Sequence, residues 1–374
     1  MHRNRQRLLE LTSIAIGIAG FLVFAEIVLR FLPVASGLSS RPVTAENPVF
    51  RYKADRDFVY SNGWKLDMVN HGHVNNDGWV NDQNYHTDDP SPLVAIVGDS
   101  FVEAAMVPYA QTFHGLLANI FRDKFRVYSF GASGAPLSQY LIWARYAVHQ
   151  FKARALVINV VGNDFDESHI NYKAGPGFWY YAPDPTGRLQ LRLIEYRPGL
   201  MRLIVRHSAL LRYLAINAGV AYLASWNWIS YYVGYAGKKL PPHYAGFTLA
   251  DPGPARVAAS KLVVDSFLRD LHGLGLSEQC VVFLMDGFRY PEVSKKEAGT
   301  FFDILRRYFR EEAEAQAYEV IDLDPIFFSR YRATSERFEY PNDGHWNAAG
   351  HAVAARALQS SKTLTSSCNE IQGR

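Results

Sequence analysis

A serine about a quarter of the way along the chain has a local sequence that suits an acyl-transfer nucleophile. Ser100 ends the motif Gly98-Asp99-Ser100, which follows an apolar run at residues 93–97. A serine hydroxyl attacks an ester once a base removes its proton, and an imidazole with a near-neutral pKa suits that task. An Asp-Ser pair before a helix is also ordinary N-cap chemistry. The motif therefore gains meaning only from the residues that can act with it.

The candidate base and acid lie close to the C-terminus. His345 is the candidate base, and Asp343, two residues earlier, is the candidate acid that would hold the imidazolium in its tautomer. His351 is a second histidine nearby, but it falls within the last predicted helix and is expected to pack there. Together with Ser100, the pair predicts a catalytic triad.

A tetrahedral intermediate also needs donors for its oxyanion. The backbone N–H groups of Ser100 and Gly134 and the side-chain amide of Asn163 are the candidates. Asp99 and Asp164 each adjoin one of the candidate residues, and we interpret them as supporting residues that accept backbone hydrogen bonds in the loops.

These residues require a scaffold that brings distant loops together. Apolar, β-branched runs predict parallel strands, and amphipathic runs predict helices between them. The order is typical of an α/β, three-layer, flavodoxin-like fold with about five parallel strands. Because parallel strands end at the same sheet edge, the loops ending in GDS, GASG and GND should converge there. The predicted strands are residues 93–97, 126–130, 155–161, 279–285 and 319–323; the helices are 112–125, 136–151, 255–274, 294–318 and 348–360; residues 340–347 are predicted to form a loop.

The N-terminus predicts a membrane anchor. Residues 1–7 carry three arginines, and residues 8–32 are apolar for long enough to cross a bilayer, so the basic side should stay in the cytoplasm. A cleaved signal peptide is the alternative, with small residues at 34–36. Glu26 and Arg30, four apart on one helical face, can pair or mark the outer interface. The remainder would lie in the periplasm or outside the cell.

The rest of the chain divides around the predicted catalytic domain, which comprises residues 93–164 and 255–360. The aromatic-rich insertion at 165–254 includes an uncharged stretch, 213–235, that could span a membrane. A span there would separate Ser100 from His345, so we interpret the insertion as a lid over the active-site edge. The remaining segments are a linker at 33–49, an N-terminal extension at 50–92 packed on the core, and a tail at 361–374.

Composition excludes several classes of function. The 374 residues are 48% hydrophobic, enough for one large core, and the net charge of +3 without a basic run argues against nucleic acid as a partner. His71 and His73 form an H-x-H without a further ligand at a recognisable spacing, so neither a metal site nor a cofactor is predicted. Cys280, in an apolar strand, and Cys368, in the polar tail, are not expected to form a disulfide.

The ordered motifs resemble the SGNH (GDSL-type) hydrolase superfamily. Its blocks are matched by Gly98-Asp99-Ser100, Gly134, Gly162-Asn163-Asp164, and Asp343 with His345. The anchor and GDSF in place of GDSL resemble the membrane-anchored bacterial branch. Gly162 and Asn163 are adjacent where the family has an intervening residue. The two-residue spacing of Asp343 and His345, with Trp346, is similar to the Asp-x-His-Trp signature of bacterial polysaccharide O-acetylation proteins, and Asn342 could assist the acid.

The resemblance implies an esterase or acyltransferase that works through an acyl-serine without a metal. The leading hypothesis is an anchored, extracytoplasmic enzyme acting on O-acyl, chiefly O-acetyl, groups of a carbohydrate. In the transferase version, related polysaccharide systems suggest a membrane-bound O-acyltransferase as partner. A lipid-ester hydrolase is an alternative, because an anchor keeps the site near lipid. A non-catalytic subunit of a membrane complex is the rival from another class.

Overall fold

A computed structural model describes residues 2–219, 253–341 and 343–367, with an α/β architecture. Besides the strands and α-helices given next, the structure has two short 3₁₀ helices, at Tyr109–Gln111 and Glu278–Cys280, and two π-helical turns, at Tyr213–Asn217 and Thr363–Ser367. The strands are β1 (Arg56–Asn62), β2 (Asp67–Val74), β3 (Leu93–Gly98), β4 (Arg126–Gly131), β5 (Ala155–Val160), β6 (Trp179–Pro183), β7 (Leu189–Leu193), β8 (Val281–Met285), β9 (Glu319–Asp322), β10 (Glu339–Tyr340) and β11 (Asp343–Trp346). The helices are α1 (His2–Arg30), α2 (Ser100–Glu103), α3 (Phe113–Ile120), α4 (Leu137–Phe151), α5 (Asp164–Glu167), α6 (Leu200–His207), α7 (Ala209–Arg212), α8 (Pro254–His272), α9 (Pro291–Lys296), α10 (Phe301–Ala315), α11 (Asp324–Thr334) and α12 (Ala348–Gln359).

The central sheet has five parallel strands in the order β4-β3-β5-β8-β9. β3, β5 and β8 are buried at every position, which explains their continuous apolar sequences. Helices pack in two groups: α3 contacts α12, while α8 contacts α4, α5 and α10. The strand order is that of a flavodoxin-like sheet, and the predicted α/β class with five parallel strands is confirmed.

Two local predictions were wrong. Residues 294–318 form no single helix, because the chain turns between α9 and α10, where Gly299 has φ +80° and donates its N–H to Asp303. Residues 340–347 are not a loop throughout, since β10 and β11 pair as a short antiparallel hairpin. Asn342, which was named as a residue that could assist the acid, lies outside the described residues.

The chain divides into two compact units, which are described separately. The α1 unit comprises residues 1–39, 57–72 and 198–237, and the sheet unit comprises residues 40–56, 73–197 and 238–374. The described part of the predicted insertion is thus split between the units: residues 198–219 group with the N-terminal helix. Most of the uncharged stretch at 213–235, considered above as a second span, lies outside the described residues.

The α1 unit is built around one long helix. Residues Asn4–Arg30 of α1 have a mean hydropathy of 2.2 over their most apolar window, none of which is buried, so this helix is long and apolar enough to cross a membrane. Near its end, the Glu26 carboxylate accepts hydrogen bonds from Ser208 Oγ (2.8 Å), Ala209 N (3.1 Å) and Leu210 N (2.8 Å). The helix is therefore joined to α7, which follows it by almost 180 residues in sequence.

Cys280, directly before β8, is disulfide-bonded, and no described cysteine is free. The expectation that the cysteines stay apart was wrong for this residue. Its apolar surroundings predicted a buried thiol, and burial alone does not distinguish a thiol from a disulfide. The only other cysteine of the sequence, Cys368, lies outside the described residues.

Candidate active site

Ser100 is the first residue of α2 and lies at the carboxyl end of β3. Asp99 caps the helix by accepting the Phe101 N–H at 3.0 Å, and its other carboxylate oxygen lies 3.3 Å from Ser100 Oγ. Gly131, at the end of β4, allows α2 to approach the sheet, because a Cβ there would lie 2.8 Å from the backbone nitrogen of Glu103. The serine is thereby held at the sheet edge where the strand-end loops converge, with only 8% of its surface exposed.

Ser100, His345 and Asp343 form a continuous hydrogen-bonded chain. His345 Nε2 lies 2.7 Å from Ser100 Oγ, and His345 Nδ1 lies 2.5 Å from Asp343 Oδ1. The same carboxylate oxygen accepts the backbone N–H of His345 at 3.0 Å. With the ring proton on Nδ1, Nε2 is free to accept the serine proton, which is the arrangement that base-assisted nucleophilic attack requires.

The two-residue spacing of acid and base follows from the secondary structure. Asp343 and His345 lie on β11, and alternate residues of a strand point to the same face. Gly344 and Trp346, between and after them, point to the opposite face and are buried. A spacing of two therefore places the carboxylate beside the imidazole here, as a spacing of three or four would on a helix.

A buried ion pair supports the strand that carries this pair. Arg289, with no exposed side-chain surface, donates to Gly344 O at 2.7 Å and to the Asp286 carboxylate at 2.5 and 3.2 Å. Trp346 Nε1 also donates to Asp286, at 3.2 Å. Because Gly344 lies between the acid and the base, the guanidinium fixes the backbone that orients both.

A second buried carboxylate joins the nucleophile helix to the Gly134 turn. Glu103, at the end of α2, accepts a short hydrogen bond from Ser133 N, and burial raises the pKa of its carboxyl. In the turn from Ala132 to Ala135, closed by a 3.1 Å hydrogen bond, Gly134 occupies the third position with φ +75°, which a type II turn requires. Glu103 thus positions the turn whose N–H group was predicted to face the oxyanion.

Asn163, the third predicted oxyanion donor, is held from one side. Its Nδ2 donates to Glu167 Oε2 at 3.0 Å, and Lys173 makes a short contact with the same oxygen. An amide nitrogen carries two protons, so one remains for a ligand. Lys173 Nζ also lies 3.7 Å from the position that a Cβ on Gly134 would occupy, which places the Gly134 and Asn163 loops side by side.

Asp99 and Asp164 both accept backbone hydrogen bonds. Asp164 accepts from Val161 N at 2.8 Å and from Tyr140 OH at 2.7 Å. Burial raises the pKa of Asp99 to about 6. Burial, reinforced by the nearby Asp99 carboxylate, raises the pKa of Asp164 well above its ordinary value. Both residues thus brace the loops that carry Ser100 and Asn163.

The rival base is used elsewhere. His351 lies in α12, where its Nδ1 accepts the Phe113 N–H at 3.2 Å and burial lowers its pKa well below the ordinary range. No group of three His, Cys, Asp or Glu in the part of the chain that the structure describes could hold a metal ion.

Sequence reasoning missed the residues that support the site from behind. Asp286 follows β8 directly, at the same sheet edge as Ser100 and Asn163, and this position was the available signal. Arg289 and Glu103 gave no signal, because the backbone groups through which they support the site, Gly344 O and Ser133 N, are 55 and 30 residues away in sequence.

No family model matches the chain, and no curated protein matches it. Solved structures align over most of it at low identity. LAE5, an alpha/beta hydrolase enzyme from the metagenome of Lake Arreo, is 14% identical with a TM-score of 0.41, over 75% of this chain and 100% of that one. The acetyl xylan esterase AlAXEase and a lipolytic protein of the G-D-S-L family from Veillonella parvula are each 10% identical, with TM-scores of 0.37 over 72% of this chain and 98% of theirs. TM-scores below 0.5 do not establish a shared activity, and the function proposed below rests on the geometry of Ser100 and its partners.

Proposed function

We propose that the protein is a serine-dependent ester hydrolase or O-acyltransferase. The observation that carries the proposal is the chain of contacts from Ser100 Oγ to His345 Nε2, at 2.7 Å, and from His345 Nδ1 to Asp343, at 2.5 Å. Nothing in the packing of the strand hairpin requires this alignment, since Gly344 and Trp346 supply its buried face.

In the proposed reaction, Ser100 Oγ attacks the carbonyl carbon of an ester while its proton passes to His345 Nε2. The carbonyl electron pair moves to oxygen, and the N–H groups of Ser100 and Gly134 and the Asn163 amide stabilise that oxyanion. Collapse expels the alcohol, which takes the proton from His345 and leaves an acyl-serine. Water or an acceptor hydroxyl then attacks in the same way, which gives hydrolysis or acyl transfer.

We propose a carbohydrate ester as the substrate class. A cleft of about 680 Å³ in the sheet unit runs along the second half of α4, so it would hold sugar units remote from the ester that Ser100 attacks. The rings of Tyr146 and Trp179 line it beside Arg145, Gln150 and Glu195. Aromatic faces flanked by hydrogen-bonding side chains suit a sugar chain. Acetyl esters of sugars are the proposed substrates, and a membrane-bound O-acyltransferase remains the proposed partner if the reaction is transfer.

We also propose that α1 anchors the protein, with residues 1–7 in the cytoplasm and the sheet unit in the periplasm or outside the cell. The apolar surface of Asn4–Arg30 supports an anchor. The disulfide at Cys280 supports an oxidising compartment. The apolar surface of the α1 unit favours a second candidate, a lipid-ester hydrolase, whose substrate would come from the same membrane.

The test is intact-mass labelling of the detergent-purified protein with a fluorophosphonate. Wild type should gain one adduct, whereas Ser100→Ala and His345→Ala should gain none. Ser329→Ala, which removes an exposed serine on α11, is the control and should react like wild type. Absence of an adduct on folded wild type would refute the enzyme proposal and favour a non-catalytic subunit of a membrane complex.

To identify the substrate class, unlabelled protein from a preparation that reacts with the fluorophosphonate is assayed with acetylated oligosaccharides, short-chain nitrophenyl esters and phospholipids. Trp179→Ala should raise KM for the oligosaccharide and leave the nitrophenyl ester rate unchanged. Faster turnover of phospholipid than of oligosaccharide would favour the lipid-ester candidate.

A further inference from the structure

The α1 unit contains a second helix, α6, that exposes large apolar side chains. On α6, Leu200, Met201 and Ile204 are 73, 71 and 47% exposed. At 3.6 residues per turn these three share one side of the helix with Leu203, while Arg202 and Arg206 occupy the opposite side. α6 is thus a short amphipathic helix with its apolar side outward and its cations on the other face.

The contacts of α1 fix where this helix lies along the proposed anchor. Glu26, one turn before the end of α1, accepts three hydrogen bonds from the start of α7, and only Ser208 separates α7 from α6. Arg30, the last residue of α1, donates to His207 O at 3.2 Å. The C-terminal end of α6 therefore lies beside the last turn of α1, at the level where a spanning helix leaves the hydrocarbon.

The α1 unit also contains an exposed tryptophan that lies beside a cation. Trp64, between β1 and β2, is 66% exposed, and its carbonyl accepts a 2.7 Å hydrogen bond from Tyr213 OH, which follows α7. Lys65 Nζ lies 5.4 Å from the centre of the indole ring. Tryptophan beside a cation is the residue pattern of a membrane–water interface.

We propose that α6 lies in the plane of the bilayer surface, with Leu200, Met201 and Ile204 in the acyl-chain boundary and Trp64 as a second interfacial contact. The partner is the lipid bilayer itself. Arg202 and Arg206 then face the anionic headgroups and water, as they do in interfacial amphipathic helices. The inference rests on the proposed anchoring by α1. It gives the α1 unit a second, lateral attachment that would restrict rotation about a single helix.

The experiment uses the full chain in vesicles of phosphatidylethanolamine and phosphatidylglycerol that contain brominated lipids. A bimane label is placed on Met201→Cys, on Arg202→Cys as the opposite-face control, and on Phe21→Cys within the anchor. The unsubstituted protein, labelled without reductant, gives the background, since Cys280 is disulfide-bonded. Fluorophosphonate reaction of the same samples reports the catalytic proposal independently.

Bromine near the headgroup end of the acyl chain should lower the fluorescence of the bimane at position 201 about twofold, since interfacial amphipathic helices bury their apolar face to shallow depth. Arg202 should be unaffected, and Phe21 should be quenched best by deep bromine. Quenching at Phe21 without quenching at Met201 would overturn the inference while the anchor stands, and would point to a protein partner on α6. No quenching at Phe21 would overturn both anchor and inference. Stronger quenching of Met201 by deep bromine would overturn the in-plane orientation.

Discussion

The two units of this chain use apolar residues in opposite ways. Among the described residues of the sheet unit, the exposed large hydrophobic residues are Ile120, Leu262 and Ile326, and its strands β3, β5 and β8 are buried on both faces. The much smaller α1 unit exposes large apolar side chains on α1, on α6 and at Trp64 between β1 and β2. The sheet unit thus covers most of its large apolar side chains, whereas the α1 unit carries the exposed apolar surface on which the proposed contact with lipid rests. Substitutions that abolish ester hydrolysis should therefore leave membrane attachment unchanged, and substitutions in the α1 unit should leave hydrolysis unchanged.

The largest separation is expected at the candidate base. His345→Ala removes the group that accepts the Ser100 proton, so kcat/KM for a nitrophenyl acetate should fall by about 10⁴-fold. Quenching of the Met201 label by brominated lipid should not change. Retention of more than a tenth of the hydrolysis rate would show that another group is the base.

The second-largest effect on hydrolysis is expected for substitution of Arg289, which supports the β10–β11 hairpin. Arg289→Met removes the donor to Gly344 O and leaves Asp286 buried without its charge partner. The unfolding free energy should fall by about 3–5 kcal/mol. In folded protein, kcat should fall by about 100-fold with KM little changed, because misplaced catalytic groups affect the transition state more than ground-state binding.

Arg307→Met, which breaks an exposed pair with Asp303 on α10, is the matched control and should leave both quantities close to wild type. An unchanged kcat in folded Arg289→Met would show that Arg289 stabilises the fold without positioning the acid and base.

A third prediction concerns pH and the sheet unit alone. Burial lowers the pKa of His114 to about 3, so below pH 6.5 the unfolded chain takes up a proton that the folded chain does not. This residue therefore makes the protein less stable as the pH falls. From pH 7 to pH 5, the unfolding free energy of His114→Leu minus that of wild type should increase by about 2 kcal/mol.

Asp99, whose raised pKa of about 6 has the opposite effect on stability, is present in both proteins and cancels in the difference. Denaturant unfolding at several pH values gives the measurement, and His86→Leu, at an exposed histidine, is the control. A difference that does not depend on pH would contradict the low pKa of His114.

The smallest effect is expected in the α1 unit. Glu26→Gln weakens three hydrogen bonds to the start of α7, so the amides of Ala209 and Leu210 should exchange their hydrogens about tenfold faster. Hydrolysis by the sheet unit should be unchanged. Glu10→Gln, at an exposed site early in α1, is the control. A loss of hydrolysis comparable to that of His345→Ala would show that the units are not functionally separable.

The sequence predicted the parts of the fold that local pattern determines. The strands around Ser100 are continuous apolar runs because both of their faces are covered, and Ser100 was recognisable because it follows the end of one of them. The hairpin β10–β11 was missed because it is short and carries polar residues on one face. The support from Arg289 and Glu103 depends on partners distant in sequence, which no local pattern reveals.

The α1 unit could not be predicted as a unit for the same reason. Its three segments, at residues 1–39, 57–72 and 198–237, are separated by long stretches of the sheet unit. Glu26 and Arg30 were recognised as a possible pair, and they do pair at 2.8 Å. Their contacts with residues 207–210 needed the structure, because nothing in either segment specifies the other.

Because the acid and base lie on the strand β11, they share a face only when an odd number of residues separates them. An insertion or deletion of one residue between Asp343 and His345 would turn one of them to the opposite face, whereas an even change would keep both on the same face while altering their separation. Length variation here is therefore constrained by odd and even steps rather than by total length. A search for distant homologues that demands one fixed spacing between acid and base would miss chains that solve the same geometric problem on a helix.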